Sequence, residues 1–270
     1  MTMIAPDPEL SNPTPPSGGP SAGISPHSPP DPAATGIIGA LSRVRERIAA
    51  DCRSAGRDPG SVCLVAVSKT FPAADVRVAA SAGQRDFGEN YVQEALDKQA
   101  ALSDLRAGLV WHFIGPIQSN KTRQIALSFD WVHSIDREKV ARRLSEQRDA
   151  HLPPLQICIQ VNVSGEQSKS GVAPAELPAL AAAVAGLPRL ALRGLMAIPE
   201  PTDDAALARS RFAQLRELME ALKRDGHKLD TLSMGMTADM DAAIAEGATM
   251  VRVGTAIFGT RVGTQVGKRD

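Results

Sequence analysis

From residue 37 onward, two hydrophobic periods alternate along the chain. The first stretch, Ile37–Ala55, carries Ile38, Leu41, Val44 and Ile48 at helical spacing, which predicts an amphipathic helix. Short apolar runs follow at 64–68 (LVAVS), 85–88, 109–115, 131–134, 155–163, 190–198, 229–235 and 249–254. Between them, helical patterns begin near Ala73 and cover 91–104, 119–128, 137–150, 174–186, 203–225 and 238–247, with a last short helix starting at Thr255. Eight strands alternating with helices predict parallel strands joined by crossover helices. Roughly 230 residues for eight units suits a closed (β/α)8 TIM-type barrel, for which about 250 is typical. An open doubly wound sheet is the alternative that the pattern leaves standing.

Composition changes this picture at one end only. Residues 1–36 hold ten of the twenty prolines, no Lys or Arg, and only Asp7, Glu9 and Asp31 as charges. Such a segment buries too little apolar surface to offset its chain entropy, so it is expected to be a disordered tail, with the barrel occupying 37–270. It lacks the basic start and apolar run of a secretory signal. Thirty basic side chains balance thirty acidic ones, which argues against a nucleic-acid binder, and no apolar run reaches membrane-spanning length. Three cysteines without metal-ligand spacing point to a reducing cytoplasm, and Cys52 is expected to be the most accessible of them. His112 and His133 lack the spacing of a metal site and are expected to be core or rim residues.

The candidate chemistry collects at strand ends, where a barrel gathers its functional groups. Strand alternation puts Val65, Val67 and Lys69 on one face, so Lys69 would emerge over an apolar lumen. A desolvated ammonium has a lowered pKa, and a neutral amine attacks an aldehyde to give a Schiff base. The competing reading is a solvated lysine in a strand-to-helix loop. Ser233 and Gly235 in SMGM, with Gly254 and Thr255 in RVGT, end strands seven and eight, the recurrent phosphate site of such barrels. A phosphate cradle facing a Schiff-base lysine suits pyridoxal 5′-phosphate (PLP). Arg252 shares a face with Gly254. Beside a pyridine nitrogen its donor-only guanidinium would leave that nitrogen unprotonated; an arginine on the barrel exterior is the alternative.

The stretches AVSKT (66–70), FGENYVQE (87–94), WHFIGPIQSNK (111–121), EQSKSG (166–171), LRGLMAIP (192–199), LSMGM (232–236) and MVRVGTAIFG (250–259) resemble the pyridoxal-phosphate homeostasis proteins. That family has the fold of the N-terminal barrel of bacterial alanine racemase. The resemblance spans about residues 37–262. It implies that Lys69 carries PLP covalently, that Asn90 lines the ring side, that Ser233, Gly235, Gly254 and Thr255 hold the phosphate, and that Arg252 faces the pyridine nitrogen.

Two functions compete on this evidence. An amino-acid racemase needs two bases on opposite faces of Cα. Alanine racemases resembling this chain take their second base, a tyrosine, from a C-terminal β domain for which little sequence remains, and Tyr91 is the single tyrosine here. A binding protein needs only the lysine and the cradle. The resemblance therefore implies a cytoplasmic, monomeric protein of vitamin B6 and amino-acid homeostasis without robust turnover, whose partners are PLP and PLP-dependent apo-enzymes. A cofactor-free Schiff-base aldolase would leave the phosphate set unexplained.

Overall fold

The computed structural model describes residues 32–165 and 170–260. Its eight strands are β1 (Cys63–Val67), β2 (Asp86–Glu89), β3 (Val110–Phe113), β4 (Trp131–Ile135), β5 (Leu155–Gln160), β6 (Leu190–Met196), β7 (Thr231–Ser233) and β8 (Met250–Val253). Every neighbouring pair is parallel, and β8 pairs with β1, so the sheet closes into a barrel and the open-sheet alternative is excluded. The helices are α1 (Pro32–Ser54), α2 (Ala73–Ser81), α3 (Val92–Ala101), α4 (Thr122–Ser128), α5 (Glu138–Gln147), α6 (Leu177–Ala185), α7 (Ala205–Arg224), α8 (Met240–Ala245) and α9 (Thr255–Phe258).

One face of each strand packs on this ring of helices. Leu64, Ala66, Phe87, Trp111, Ile157 and Val251 all belong to a single buried cluster that also takes the apolar stripes of the helices. On α1 the stripe is Ile37, Leu41, Val44, Ile48 and Cys52, spaced by three or four residues, and it packs along α2, α8 and α9. Local signals agree at α7, where Asp204 caps the first turn by accepting from the Ala206 and Leu207 amides at 2.9 and 3.1 Å.

The opposite strand faces fill the lumen, and they are unusually polar. Barrels of this type normally stack branched aliphatic residues there. Here the lumen holds His112, His133, Ser233 and Arg252, all buried, linked by side-chain hydrogen bonds. At the N-terminal ends of β4–β7, the Arg193 guanidinium lies 5.3 Å from the Trp131 ring centroid. It donates to Asp230 at 3.0 Å and to Gln156 at 2.7 Å, forming the floor.

Two expectations need correction. The first helix starts at Pro32, not Ile37. A proline at the first helical position supplies a preset φ and needs no intrahelical donor, so it is suited to open the helix. Most of the segment expected to be a tail, 1–31, lies outside the described residues, as does the C-terminal stretch 261–270. Second, Cys52 is fully buried on the inner face of α1, while Cys63 is the partly exposed cysteine. Among the described residues, no helix is long and apolar enough to cross a membrane.

Candidate functional site

Lys69 sits where β1 leaves the barrel. Val65 and Val67 face the lumen, since a Cβ on Gly88 of β2 would lie 3.1 and 3.5 Å from their methyl carbons. The strand ends at Val67, and Ser68–Phe71 turn back, closed by Phe71 N–H donating to the Ser68 carbonyl at 3.0 Å. Thr70 adopts a left-handed backbone with φ of 69°, which costs a threonine about 1–3 kcal/mol and is a mark of functional turns.

That turn is held from beneath by a buried ionic cluster. The Lys98 ammonium of α3 donates to the Ser68 carbonyl at 2.6 Å, to Glu89 of β2 at 2.7 Å and to Glu94 at 2.6 Å. The Ser68 hydroxyl donates to the same Glu89 oxygen at 2.6 Å, and the Thr70 amide donates to Glu94. The residues on both sides of Lys69 are thus clamped. Burial pushes the Glu89 carboxyl above its ordinary range, and the Lys98 charge pulls it back only in part. Sequence reading missed this cluster; the Glu94–Lys98 spacing of four on α3 was its one local signal.

Arg252 projects into the lumen, so the exterior alternative is excluded. It is 4% exposed, and its Nη1 and Nη2 donate to the Ser233 hydroxyl at 2.6 Å and the Ala197 carbonyl at 2.8 Å. Burial brings its pKa down to about 10, which leaves it charged at neutral pH. The Arg252 amide donates to the Gly235 carbonyl at 3.0 Å, drawing the loop after β7 against β8. Gly235 has φ of 92°, and a Cβ there would come within 2.5 Å of the Ala243 side chain, so both conformation and space demand glycine. Gly254 lies beside β1, where an added Cβ would meet the Val67 carbonyl at 3.1 Å. The β1 and β8 ends therefore touch beneath Lys69 and Thr255. Phe71 and Phe258 join the two following segments with ring centroids 5.2 Å apart.

Asn90 follows β2 at the same rim. Its Oδ1 is buried and has no hydrogen-bond partner among the described residues. Its backbone is approached so closely by Gly115 that a Cβ there would lie 2.4 Å from the Asn90 carbonyl oxygen. A buried amide oxygen at this rim, without a partner among the described residues, is available to accept from a donor.

Lys69, Asn90, Gly235, Arg252, Gly254 and Thr255 all fall at or just below the C-terminal rim. Ser233 lies deeper. Its hydroxyl is engaged by Arg252 and by His133 Nδ1 at 2.8 Å. His133 Nε2 meets His112 Nδ1 at 2.9 Å, and His112 Nε2 meets Asp86 at 3.0 Å. Both histidines are lumen residues. In EQSKSG, 166–169 lie outside the described residues. Among those described, no group of three or more His, Cys, Asp or Glu is disposed to hold a metal.

Comparison with known proteins agrees with this fold. Residues 41–262 match the alanine racemase N-terminal domain. The pyridoxal phosphate homeostasis protein of Pseudomonas aeruginosa is 65% identical over 221 residues, 82% of this chain and 94% of the relative. That of Escherichia coli K12 is 54% identical over 222 residues, 82% of this chain and 95% of the relative. Among solved structures, PipY of Synechococcus elongatus with PLP bound is 41% identical with a TM-score of 0.73, covering 83% of this chain and all of PipY. The chain belongs to the pyridoxal phosphate homeostasis protein family, built on the barrel of the alanine racemase N-terminal domain.

Proposed function

We propose that the protein binds PLP at this rim and serves intracellular PLP and amino-acid homeostasis, holding the cofactor as a Schiff base on Lys69 without robust catalytic turnover. The observation that carries the reading is the meeting of Lys69, the Gly254–Thr255 turn and the inward Arg252 at one strand junction, β1 against β8. The PLP-bound relative and the name shared by the curated relatives support it. PLP supplies an aldehyde carbon for a primary amine and a phosphate dianion for backbone and hydroxyl donors.

The chain's own groups divide that work. Lys69 offers the amine, and the Lys98 clamp fixes the turn that presents it. Gly235, Gly254 and Thr255 offer a backbone free of Cβ obstruction and a hydroxyl at the start of α9 for the phosphate. The buried Asn90 side chain accepts along the ring edge. Arg252 is a donor only, so it stabilises an unprotonated pyridine nitrogen and makes the ring a weak electron sink. On this reading the protein is a cytoplasmic monomer with free cysteines, and PLP-dependent apo-enzymes are its recipients.

The racemase reading requires a second base across from Lys69. Tyr91, the single tyrosine, precedes α3 with 56% of its surface exposed, and the lumen histidines hydrogen-bond to one another; both observations favour the binding protein. L- and D-alanine incubated with PLP-loaded protein in deuterated water should keep their configuration, with at most slow one-sided deuterium uptake. Inversion near the ~10 s⁻¹ of a median enzyme would establish a racemase.

Thr255→Val removes one hydroxyl donor at the phosphate. It should weaken retention of PLP by about tenfold while leaving pyridoxal binding unchanged, as read by titrating both ligands. Equal losses would move Thr255 away from the phosphate.

A further inference from the structure

Four hydrogen bonds run end to end through the barrel lumen. Arg252 Nη1 meets the Ser233 hydroxyl at 2.6 Å, Ser233 meets His133 Nδ1 at 2.8 Å, His133 Nε2 meets His112 Nδ1 at 2.9 Å, and His112 Nε2 meets Asp86 Oδ1 at 3.0 Å. The chain starts at β8 and crosses to β7, β4, β3 and β2. The His133–Ser233 bond spans the lumen itself, because β4 and β7 are not neighbours in the sheet. Its far end, Asp86, is the first residue of β2 and therefore lies toward the mouth opposite Lys69.

The chemistry of the two ends sets one direction for every proton. A guanidinium can only donate, so Ser233 accepts from Arg252. The Ser233 proton then needs an acceptor, and His133 Nδ1 is the one in reach. His133 must therefore carry its proton on Nε2 and donate to His112 Nδ1. His112 in turn carries its proton on Nε2 and donates to Asp86, which as a carboxylate only accepts. Any reversal would leave the Ser233 hydroxyl buried with its proton unmatched.

We propose that Asp86, His112, His133 and Ser233 are positioning residues for Arg252, a one-way hydrogen-bond chain that fixes the guanidinium at the cofactor's ring nitrogen and ties it to the opposite mouth of the barrel. This rests on the reading of Arg252 given above. It assigns Ser233 to the guanidinium rather than to the phosphate. The groups facing the chain are consistent with it. Burial, the neighbouring His112 and the Arg252 charge hold His133 well below the ordinary histidine range, so its ring stays neutral. Trp131 stacks on His112 with centroids 5.6 Å apart, which fixes the ring plane. At the lower end, burial and the nearby Asp86 carboxylate push the Cys63 thiol up to about 12, so it stays protonated beside that acceptor.

The consequence is mechanical as well as electrostatic. With Nη1 held by Ser233 and Nη2 by the Ala197 carbonyl, Arg252 is anchored at two points and its remaining N–H groups are aimed by them. Loss of the acceptor at Asp86 leaves a buried N–H unmatched at His112, and the mismatch can be relieved only by rearranging each bond up to Arg252.

The direct test is long-range ¹H–¹⁵N NMR of histidine-labelled, cofactor-free protein at neutral pH. Both lumen rings should appear as neutral Nε2–H tautomers. An imidazolium or an Nδ1–H tautomer at either position would overturn the proposal. Titration of PLP and pyridoxal into variants supplies the second arm. Asp86→Leu should bind both ligands about tenfold more weakly and change the ring tautomers, whereas Asp86→Asn, which still offers an oxygen, should resemble wild type. Equal behaviour of the two variants would overturn it. Ser233→Ala gives an independent check should Asp86→Leu not fold: PLP and pyridoxal should weaken together, and a loss confined to PLP would return Ser233 to the phosphate. Wild-type protein without affinity for PLP would instead sink the functional reading, and the tautomer spectrum would still decide the chain.

Discussion

Replacing Lys98 with methionine should destabilise the protein by about 3–5 kcal/mol, lowering the thermal midpoint by roughly 10 °C. The ammonium is 5% exposed and joins a fully buried Glu89, the Ser68 carbonyl and Glu94. Methionine fills much of the same volume but leaves Glu89 a buried carboxylate with one hydroxyl donor. The pH dependence has a definite sign. Burial already raises the folded-state pKa of Glu89 above its unfolded value, so its contribution favours the folded state below the ordinary carboxylate range and is lost as pH rises through the folded pKa. Removing Lys98 raises that pKa further. The deficit of Lys98→Met should therefore be small at a pH within the ordinary carboxylate range and larger at neutral pH, and Glu89→Gln in the same chain should recover part of it. Denaturant midpoints at the two pH values check this. A pH-independent deficit would mean that lost packing, not the unpaired carboxylate, dominates. Because the cluster clamps Ser68 and Thr70, the variant should also present Lys69 poorly and retain less PLP at temperatures where it remains folded.

Gly254→Asp should reduce PLP retention by at least a hundredfold. Two causes act together. A Cβ at 254 would press on the Val67 carbonyl at 3.1 Å and the Val67 Cβ at 3.3 Å, and the carboxylate would stand at the phosphate dianion. Gly254→Ala separates them, since it introduces the same Cβ without charge. The alanine variant should weaken both ligands modestly and alike. The aspartate variant should lose PLP far more than pyridoxal, measured by the absorbance change on titration. If alanine and aspartate weaken PLP equally, the effect is steric and the phosphate lies elsewhere.

The order and number of barrel elements were legible because each depends on a short-range period: two for strands, three to four for helices. Even so, β7 is only Thr231–Ser233, shorter than the apolar run 229–235, since Gly235 turns the chain with a positive φ toward β8. The start of α1 was misread because Pro32 and the residues after it continue the composition of the segment before them. Inward projection of Arg252 followed from alternation, and its burial agrees with it; for Lys69 alternation stops short, because β1 ends at Val67 and the lysine sits in the turn that follows. What alternation could not supply is partnership across the barrel. Ser233 and His133 are 100 residues apart on non-adjacent strands, so only closure brings them together. The Glu94–Lys98 pair reads in sequence as an ordinary solvated helix pair. Its lysine is buried and its glutamate half-buried, because Glu89, on a different element, draws the ammonium inward.

Covalent attachment at Lys69 is the central claim, and its direct test is borohydride reduction of PLP-loaded wild-type protein followed by peptide mapping. The account predicts one stable pyridoxyl adduct, on the peptide containing Lys69, with Lys69→Ala folding normally and losing both the adduct and the ~420 nm absorbance. A single adduct on another lysine, or an equal adduct persisting in Lys69→Ala, would contradict it.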